Sequence, residues 1–236
     1  MSPRAACLAC LEQTPPALFE AALWIAVEHQ PTLQPTDVLQ RLNGLQQQLS
    51  QGLPNLPLQE LAQPLLRRLS ELDFHEDDER PLRPRAALLD QLLLRRRGQP
   101  LTLALLALEL ARRLGIPLQG VNFPGHFLLR VPGADHLLDP CSGRRLYTRE
   151  CRELLQRHLG PTAELNASQL QPCDARSMLQ PTLQDHLARA EIYQRLDCPQ
   201  GERFDLQCAL LLSDDPAQHL QLSQRLRLLS ASPALH

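Results

Sequence analysis

Two residues in the middle of the chain have the types and the spacing of a catalytic pair. Within NFPGHFLLRVPGADHLLDPCSG, residues 122–143, His126 follows a Pro-Gly turn and Asp139 comes thirteen residues later. An imidazole oriented by a carboxylate is the base of a nucleophile–His–Asp site, which transfers acyl groups through a covalent intermediate. The same two residues also fit a structural histidine and an Asp-Pro turn, and spacing alone favours that second interpretation.

A nucleophile for this pair is expected at the start of a helix, where backbone N–H groups lower a thiol pKa and hold an oxyanion. The segment that opens the most apolar helix of the chain reads GQPLT, residues 98–102, and contains neither cysteine nor serine. Thr102 is the hydroxyl there, and a secondary alcohol without an adjacent amine is a poor nucleophile. We expect Thr102 to cap the helix or to be solvated. His126, Asp139 and Thr102 then form a remnant site.

Other reactive side chains give weaker signals. Cys141 stands in the turn after Asp139 and is expected to be a small apolar filler. Cys7 and Cys10 have the spacing of metal ligands, but no second pair accompanies them. The acidic run HEDDER could bind a cation through Asp77 and its neighbour, although a solvated loop is the expected structure. We therefore predict no metal and no cofactor.

The amino-acid composition excludes several kinds of catalytic chemistry and gives no support for several kinds of partner. All 24 basic residues are arginine, so a lysine Schiff base, a lysine general base and a phosphate-loop lysine are excluded. The net charge is −2 and the charges are dispersed, which gives no reason to expect a nucleic-acid or membrane-surface partner. No stretch of about 18 apolar residues is present, and seven irregularly spaced cysteines argue against a disulfide framework. We predict a cytoplasmic protein with reduced thiols.

Helical periodicity dominates the chain, so the predicted fold class is α+β and mainly α. The central helix begins at Pro100 and ends at Gly115, and its few polar residues fall in one narrow stripe. This helix is therefore predicted to be buried on most sides. The stripe consists of Thr102, Glu109, Arg112 and Arg113. The other helices are predicted near residues 17–29, 36–48 (capped by Thr36 or Asp37), 58–72, 86–97 and 148–158 (capped by Thr148).

Three short strands are expected after the central helix, in LQGVNF, HFLLRV and HLLDP. The short Pro-Gly-Ala-Asp link predicts a hairpin between the second and third strands. Four parts of the chain follow from these elements. They are an N-terminal helical subdomain at 1–97, a core at 98–160, a linker at 161–174 and a helical tail at 175–236.

The segment from about Leu92 to Leu159 resembles the bacterial SirB-like branch of the transglutaminase-like superfamily. The resemblance rests on RRRGQPLTL, GVNFPGHFLLR and DPCSGRRL, and weaker similarity extends upstream to cover about two thirds of the chain. It implies a papain-like core, with a buried helix packed on a small antiparallel sheet and His126 and Asp139 at the catalytic histidine and aspartate positions. True transglutaminases have a cysteine at the helix start, where this sequence has Thr102. The tail is similar in position to a degenerate tetratricopeptide-type repeat.

Two functional hypotheses follow. The first is a non-catalytic transglutaminase-like protein that binds a protein partner, of unknown identity, as a scaffold or regulator. The second is a weak or unusual hydrolase or acyl transferase that uses His126 and Asp139 with water or Thr102. A histidine–aspartate pair acting as a general base contributes roughly 10²–10⁴ in rate, but acyl transfer also needs an oxyanion hole. A purely structural helical adaptor is a third interpretation.

Overall fold

The structure is a computed structural model that describes residues 3–77, 87–173 and 215–231, together with scattered residues between 187 and 213. The chain forms two compact units, residues 1–174 and residues 175–236. The predicted division of the first unit at residues 97 and 160 remains a prediction.

Five α-helices are described in the N-terminal part of the first unit. Thr36 and Asp37 were predicted to cap the third helix, but that helix begins at Pro35 after Gln34, and no side chain caps it. The helix predicted over 58–72 is interrupted, since a short 3₁₀ turn at Leu58–Glu60 precedes the α-helix proper. The five helices are α1 (Pro3–Leu11), α2 (Leu18–His29), α3 (Pro35–Gly52), α4 (Ala62–Glu71) and α5 (Leu89–Arg95).

A two-stranded parallel sheet lies between this helical part and the core. Strand β1 (His75–Glu76) pairs with β2 (Arg97–Gly98). The prediction of a helix up to residue 97 is wrong here, because Arg96 adopts a left-handed conformation (φ 57°) and ends α5. Its guanidinium donates to the Leu72 carbonyl oxygen at 2.8 Å, and this bond holds the bend.

Asp77, the described residue of the acidic run after β1, is not solvated as was expected. Asp77 is buried, and its carboxylate accepts a hydrogen bond from Arg95 at 3.0 Å. A buried carboxylate needs such a partner because its charge is otherwise costly to desolvate. Residue 78 lies outside the described residues.

Helix α6 (Pro100–Leu114) is the predicted central helix, and its boundaries are confirmed. Pro100 opens it, and Gly115 ends it in the left-handed conformation (φ 70°). It contacts α2, α3, α4 and α5 as well as the strands that follow it. Most apolar residues of its middle are buried, and Leu106 and Leu110 are fully buried. This burial on most sides is what the apolar pattern predicted.

A four-stranded antiparallel sheet follows in the order β3-β4-β5-β6. The predicted pairing of β4 with β5 is confirmed, whereas the short fourth strand was not predicted. The strands are β3 (Gln119–Phe123), β4 (His126–Arg130), β5 (Leu137–Leu138) and β6 (Arg145–Leu146).

Helix α7 (Thr148–Leu159) packs on one face of this sheet, and a 3₁₀ turn at Ala167–Leu170 follows it. Thr148 is not the cap that was predicted: the cap is Tyr147, whose N–H donates to Glu150 Oε2 at 3.0 Å. The apolar cluster on this face combines strand residues with the buried side of α7. Its members are Val121, Phe123, Leu128, Leu137, Leu146, Cys151, Leu154 and Leu155.

Strand residues alternate between the two faces, so Phe127 and Leu129 point away from α7. Both are buried, and α6 contacts β3 and β4. The sheet is therefore covered by α7 on one face and by α6 on the other. This arrangement confirms the α+β class and the buried helix on a small antiparallel sheet.

The second unit is described in part. Its last helix, α8 (Pro216–Ala231), carries Arg225, which donates to the buried Glu202 carboxylate at 2.7 Å. Most of the predicted tetratricopeptide-type tail falls outside the described residues. Among the helices that are described, none is both long and apolar enough to cross a membrane.

Candidate functional site

His126 begins β4, directly after a two-residue turn formed by Pro124 and Gly125. It pairs across the turn with Phe123, and residues paired in this way share a face of the sheet. Since Phe123 belongs to the cluster covered by α7, His126 also lies on the α7 side. The imidazole is thereby directed to the last turn of α7.

The hydrogen-bond partner of His126 on that side is His158. The two Nε2 atoms are 2.7 Å apart, and the rings meet edge to face with centroids separated by 4.5 Å. A nitrogen–nitrogen hydrogen bond requires one ring to donate and the other to accept. The pair therefore holds a single proton between its facing nitrogens, and both rings cannot be imidazolium while this bond exists.

Gly125 fixes the position of the His158 ring. Its φ is +73°, a conformation that side chains disfavour, and a Cβ placed on it would lie 2.7 Å from His158 Cγ. The turn backbone and the ring are thus in direct contact. The Pro-Gly turn allows this approach, and without it His158 would have to move away from His126.

The pKa of His126 is lowered from its usual value of 6.5. Burial is the largest cause, and the nearby His158 and Arg157 act in the same direction. The Asp139 carboxylate opposes them by electrostatic attraction and raises the pKa. The balance favours a neutral imidazole at pH 7, which is consistent with a ring that shares one proton with its neighbour.

Asp139 closes the turn between β5 and β6. Its Oδ1 accepts from the Cys141 N–H at 2.9 Å and its Oδ2 from the Ser142 hydroxyl at 2.7 Å, while Gly143 N–H donates to its carbonyl at 2.8 Å. Both carboxylate oxygens thus accept hydrogen bonds inside the turn, and no direct bond to His126 is found among the described residues. Asp139 acts on His126 through space. A bridge through one water remains a prediction.

Helix α4 holds this turn in place. The Gln63 side chain donates to the Gly143 carbonyl oxygen at 3.1 Å, and a Cβ on Gly143 would lie 3.0 Å from Leu66 Cβ. The Asp139 turn is therefore a packed structural element. The local contacts of Asp139 are those of a residue that starts a turn together with Pro140.

Thr102 lies in the first turn of α6 and is buried, with 3% of its surface exposed. It was expected either to cap the helix or to be solvated, and it does neither: Gln99 precedes the first helical residue, and the side chain is inside the core. Asp139 acts electrostatically on His126, and the assembly of these two residues with Thr102 into one site stays a prediction.

Cys141 is the described cysteine nearest to Asp139, and its thiol is protonated. Burial raises its pKa strongly, and the negative charges of Asp139 and Glu76 raise it further. Burial also raises the pKa of the Cys10 and Cys151 thiols. None of these three groups has the lowered pKa of a nucleophilic thiolate.

We therefore expect slow alkylation of the thiols at about pH 6, because the thiolate is the reactive form. Iodoacetamide labelling followed by peptide mass analysis measures each cysteine separately. The Cys141→Ser variant identifies any signal from that position. Rapid stoichiometric labelling of Cys141 in the folded protein would contradict this expectation and restore it as a nucleophile.

No metal centre is formed by the described residues, where no group of three or more His, Cys, Asp or Glu side chains converges. Cys7 and Cys10 are both buried in the helical N-terminal part. His158 was missed by sequence reasoning. Its position in the last turn of a helix gave no sign of a partner 32 residues earlier.

Comparisons with known proteins identify the family. Residues 36–184 match the transglutaminase-like superfamily. The UPF0162 protein PA3419 of Pseudomonas aeruginosa is 53% identical over 270 aligned positions, covering all of both chains. A UPF0162 protein of Xylella fastidiosa is 47% identical over 102 residues, 41% of this chain and 36% of that one.

A segment of the human F-box only protein 21 is 40% identical over 82 residues, which are 30% of this chain and 13% of that protein. No solved structure matches the chain significantly. The match to the superfamily spans more than half of the chain, and one relative is similar over its whole length. The chain therefore belongs to the transglutaminase-like superfamily and, within it, to the UPF0162 proteins.

Proposed function

We propose that this protein is a non-catalytic member of the transglutaminase-like superfamily that acts in the cytoplasm as a protein-binding or regulatory module. The observation that carries this proposal is the hydrogen bond between His126 Nε2 and His158 Nε2. A general base must direct its free nitrogen at a nucleophile or a water. In this fold one of the two ring nitrogens of His126, Nε2, faces another imidazole instead.

The surroundings of the site support the same proposal. Thr102 is buried in the core, and the Cys141 thiol is protonated. Asp139 is engaged in the turn and does not orient the imidazole by a hydrogen bond. These features are what a site without a working nucleophile would have.

The comparisons support a modular role. A segment of 82 residues recurs within a much longer animal protein, of which it makes up 13%. A segment shared by chains of such different lengths behaves as a portable domain. Within the superfamily we place the chain in the SirB-like branch, on the motifs RRRGQPLTL and GVNFPGHFLLR, and we assign its tail to a degenerate tetratricopeptide-type repeat.

Thermal or urea unfolding of two variants, measured beside an acyl-hydrolysis and acyl-transfer screen, tests the proposal. We expect His126→Ala to reduce the free energy of unfolding by about 1–2 kcal/mol, because the half-buried ring loses its packing and its hydrogen bond. We expect Asp139→Asn to cost less, since its amide oxygen still accepts from the Cys141 N–H. The wild-type protein should show no turnover.

The opposite result would identify an enzyme. Turnover by the wild-type protein that both substitutions abolish, with unfolding unchanged, would overturn the proposal and support a hydrolase or acyl transferase using water or Thr102. The variant His158→Ala adds a further check. If His126 acts through its bond to His158, the two histidine substitutions should not be additive.

A further inference from the structure

A cleft distinct from the His126 pair lies between the sheet and the start of α7. It is a shallow cleft that opens to solvent beside the end of β4 and the first turn of α7. Its apolar wall is formed by Leu137, Leu146, Cys151 and Leu170, the first three of which are buried. A cleft of this kind fits one aliphatic side chain with its backbone atoms at the mouth.

Two side chains of opposite charge line the same cleft. Arg130 is half-buried at the end of β4, and one of its N–H groups donates to the Leu170 carbonyl oxygen at 2.9 Å. That bond anchors the guanidinium and uses one of its five donors. A planar fork held in this way is suited to a carboxylate.

The opposite charge comes from Asp135, whose carboxylate is 83% exposed and pairs with His136 Nδ1 at 2.9 Å. Asp135 and His136 both line the cleft. An exposed carboxylate can accept a further hydrogen bond from an amide or ammonium N–H. The cleft thus offers a cation, an anion and an apolar wall, which are the complements of a carboxylate, an N–H group and an aliphatic side chain.

We propose that this cleft binds an α-amino acid unit with an aliphatic side chain, its carboxylate on Arg130 and its nitrogen toward Asp135. The unit can be the C-terminal residue of a peptide or a free amino acid, because both present a carboxylate, an N–H donor and a side chain; the nitrogen is a neutral amide in the peptide and a charged ammonium in the free amino acid. The peptide source rests on the proposed protein-binding function, whereas the free amino acid does not.

Isothermal titration calorimetry on the full chain tests the proposal with three probes: N-acetyl-Ala-Leu with a free carboxylate, the same dipeptide as its C-terminal amide, and free L-leucine. We expect the free acid to bind at least about tenfold more tightly than the amide, since the amide lacks the charge-assisted bonds to Arg130. Binding of the acetylated acid assigns the site to peptide C-termini. Binding of leucine alone assigns it to free amino acids and removes this cleft from the protein-binding role.

Two variants test the same contacts from the protein side. Arg130→Gln should weaken binding of the preferred acid about tenfold or more, and Arg144→Gln, which removes an exposed arginine outside the cleft, should leave it unchanged. Asp135→Asn should weaken leucine more than the acetylated dipeptide. If Arg130→Gln does not fold, the affinities of the wild-type chain for the free acid and for the amide still test whether the carboxylate is bound. Equal binding of acid and amide, or no binding of any probe, would overturn the proposal.

Discussion

Replacing Gly125 by alanine is expected to destabilise the first unit by about 2–4 kcal/mol and to separate the two histidines. The backbone conformation at φ +73° costs a side chain about 1–2 kcal/mol. The new Cβ would also lie 2.7 Å from His158 Cγ, so the ring must move. The hydrogen bond between His126 and His158 is then lost. Urea unfolding measures the loss of stability, and NMR titration of the histidines measures the separation of the two rings.

The chain contains a matched control for this substitution. Gly133 also has a positive φ, of +81°, but a Cβ there would meet nothing within 4 Å. Gly133→Ala is therefore expected to be destabilised by the backbone conformation alone, without a steric clash. The difference between the two variants measures the contact of the turn with His158.

A second-site change tests the cause directly. Truncation of His158 to alanine in the Gly125→Ala background should recover part of the lost stability, since the added methyl group then has space. Equal losses for Gly125→Ala and Gly133→Ala, with no recovery from His158→Ala, would show that the ring does not rest on the turn.

The elements around the site were predictable from local pattern. The apolar run between Pro100 and Gly115 specifies a buried helix, and the hairpin of β4 with β5 follows from the short, turn-rich Pro-Gly-Ala-Asp link between two apolar segments. Both signals are contained in a few adjacent residues. For that reason their boundaries could be predicted closely.

The partners of the site residues could not be predicted in this way. His126 meets His158 because α7 crosses the sheet and ends beside the β3–β4 turn, a relation set by packing between elements. Asp139 likewise turns its oxygens to its own loop, and local Asx geometry competes with the more distant histidine. The resemblance to the transglutaminase-like superfamily indicated which residue types occupy the site. It did not indicate that His126 contacts His158 or that Asp139 bonds to its own loop.

The polar stripe of α6 illustrates the same limit. Its spacing was read correctly, yet Glu109 is buried and bridges Arg112 and Arg113. Arg113 also donates to Asn43 Oδ1 on α3 at 2.6 Å. The stripe is therefore the seam by which α3 meets the central helix, and its partner lies 70 residues away in sequence.

Removal of the carboxylate at this seam is expected to have an equally large effect. Glu109→Ala should lower the free energy of unfolding by about 2–3 kcal/mol, because it leaves the largely buried Arg113 without its ion pair. Glu109→Gln should cost less, since one amide oxygen can still accept a hydrogen bond. The exposed pair of Arg149 with Glu153 on α7 is the control, and Glu153→Gln should change stability by less than about 0.5 kcal/mol.

The pH dependence provides an independent measurement of the same pair. Burial alone would raise the pKa of Glu109, but hydrogen bonds from Arg112 and Arg113 outweigh it, and the pKa lies below its usual 4.5. A carboxyl group with a lowered pKa in the folded state adds stability above pH 4.5, and this stability is lost as the pH falls through the folded-state pKa. The free energy of unfolding, measured in urea from pH 6 down to pH 3, should therefore fall more steeply for the wild-type protein than for Glu109→Gln. Parallel curves for the two proteins would mean that the arginines do not hold the charge of Glu109.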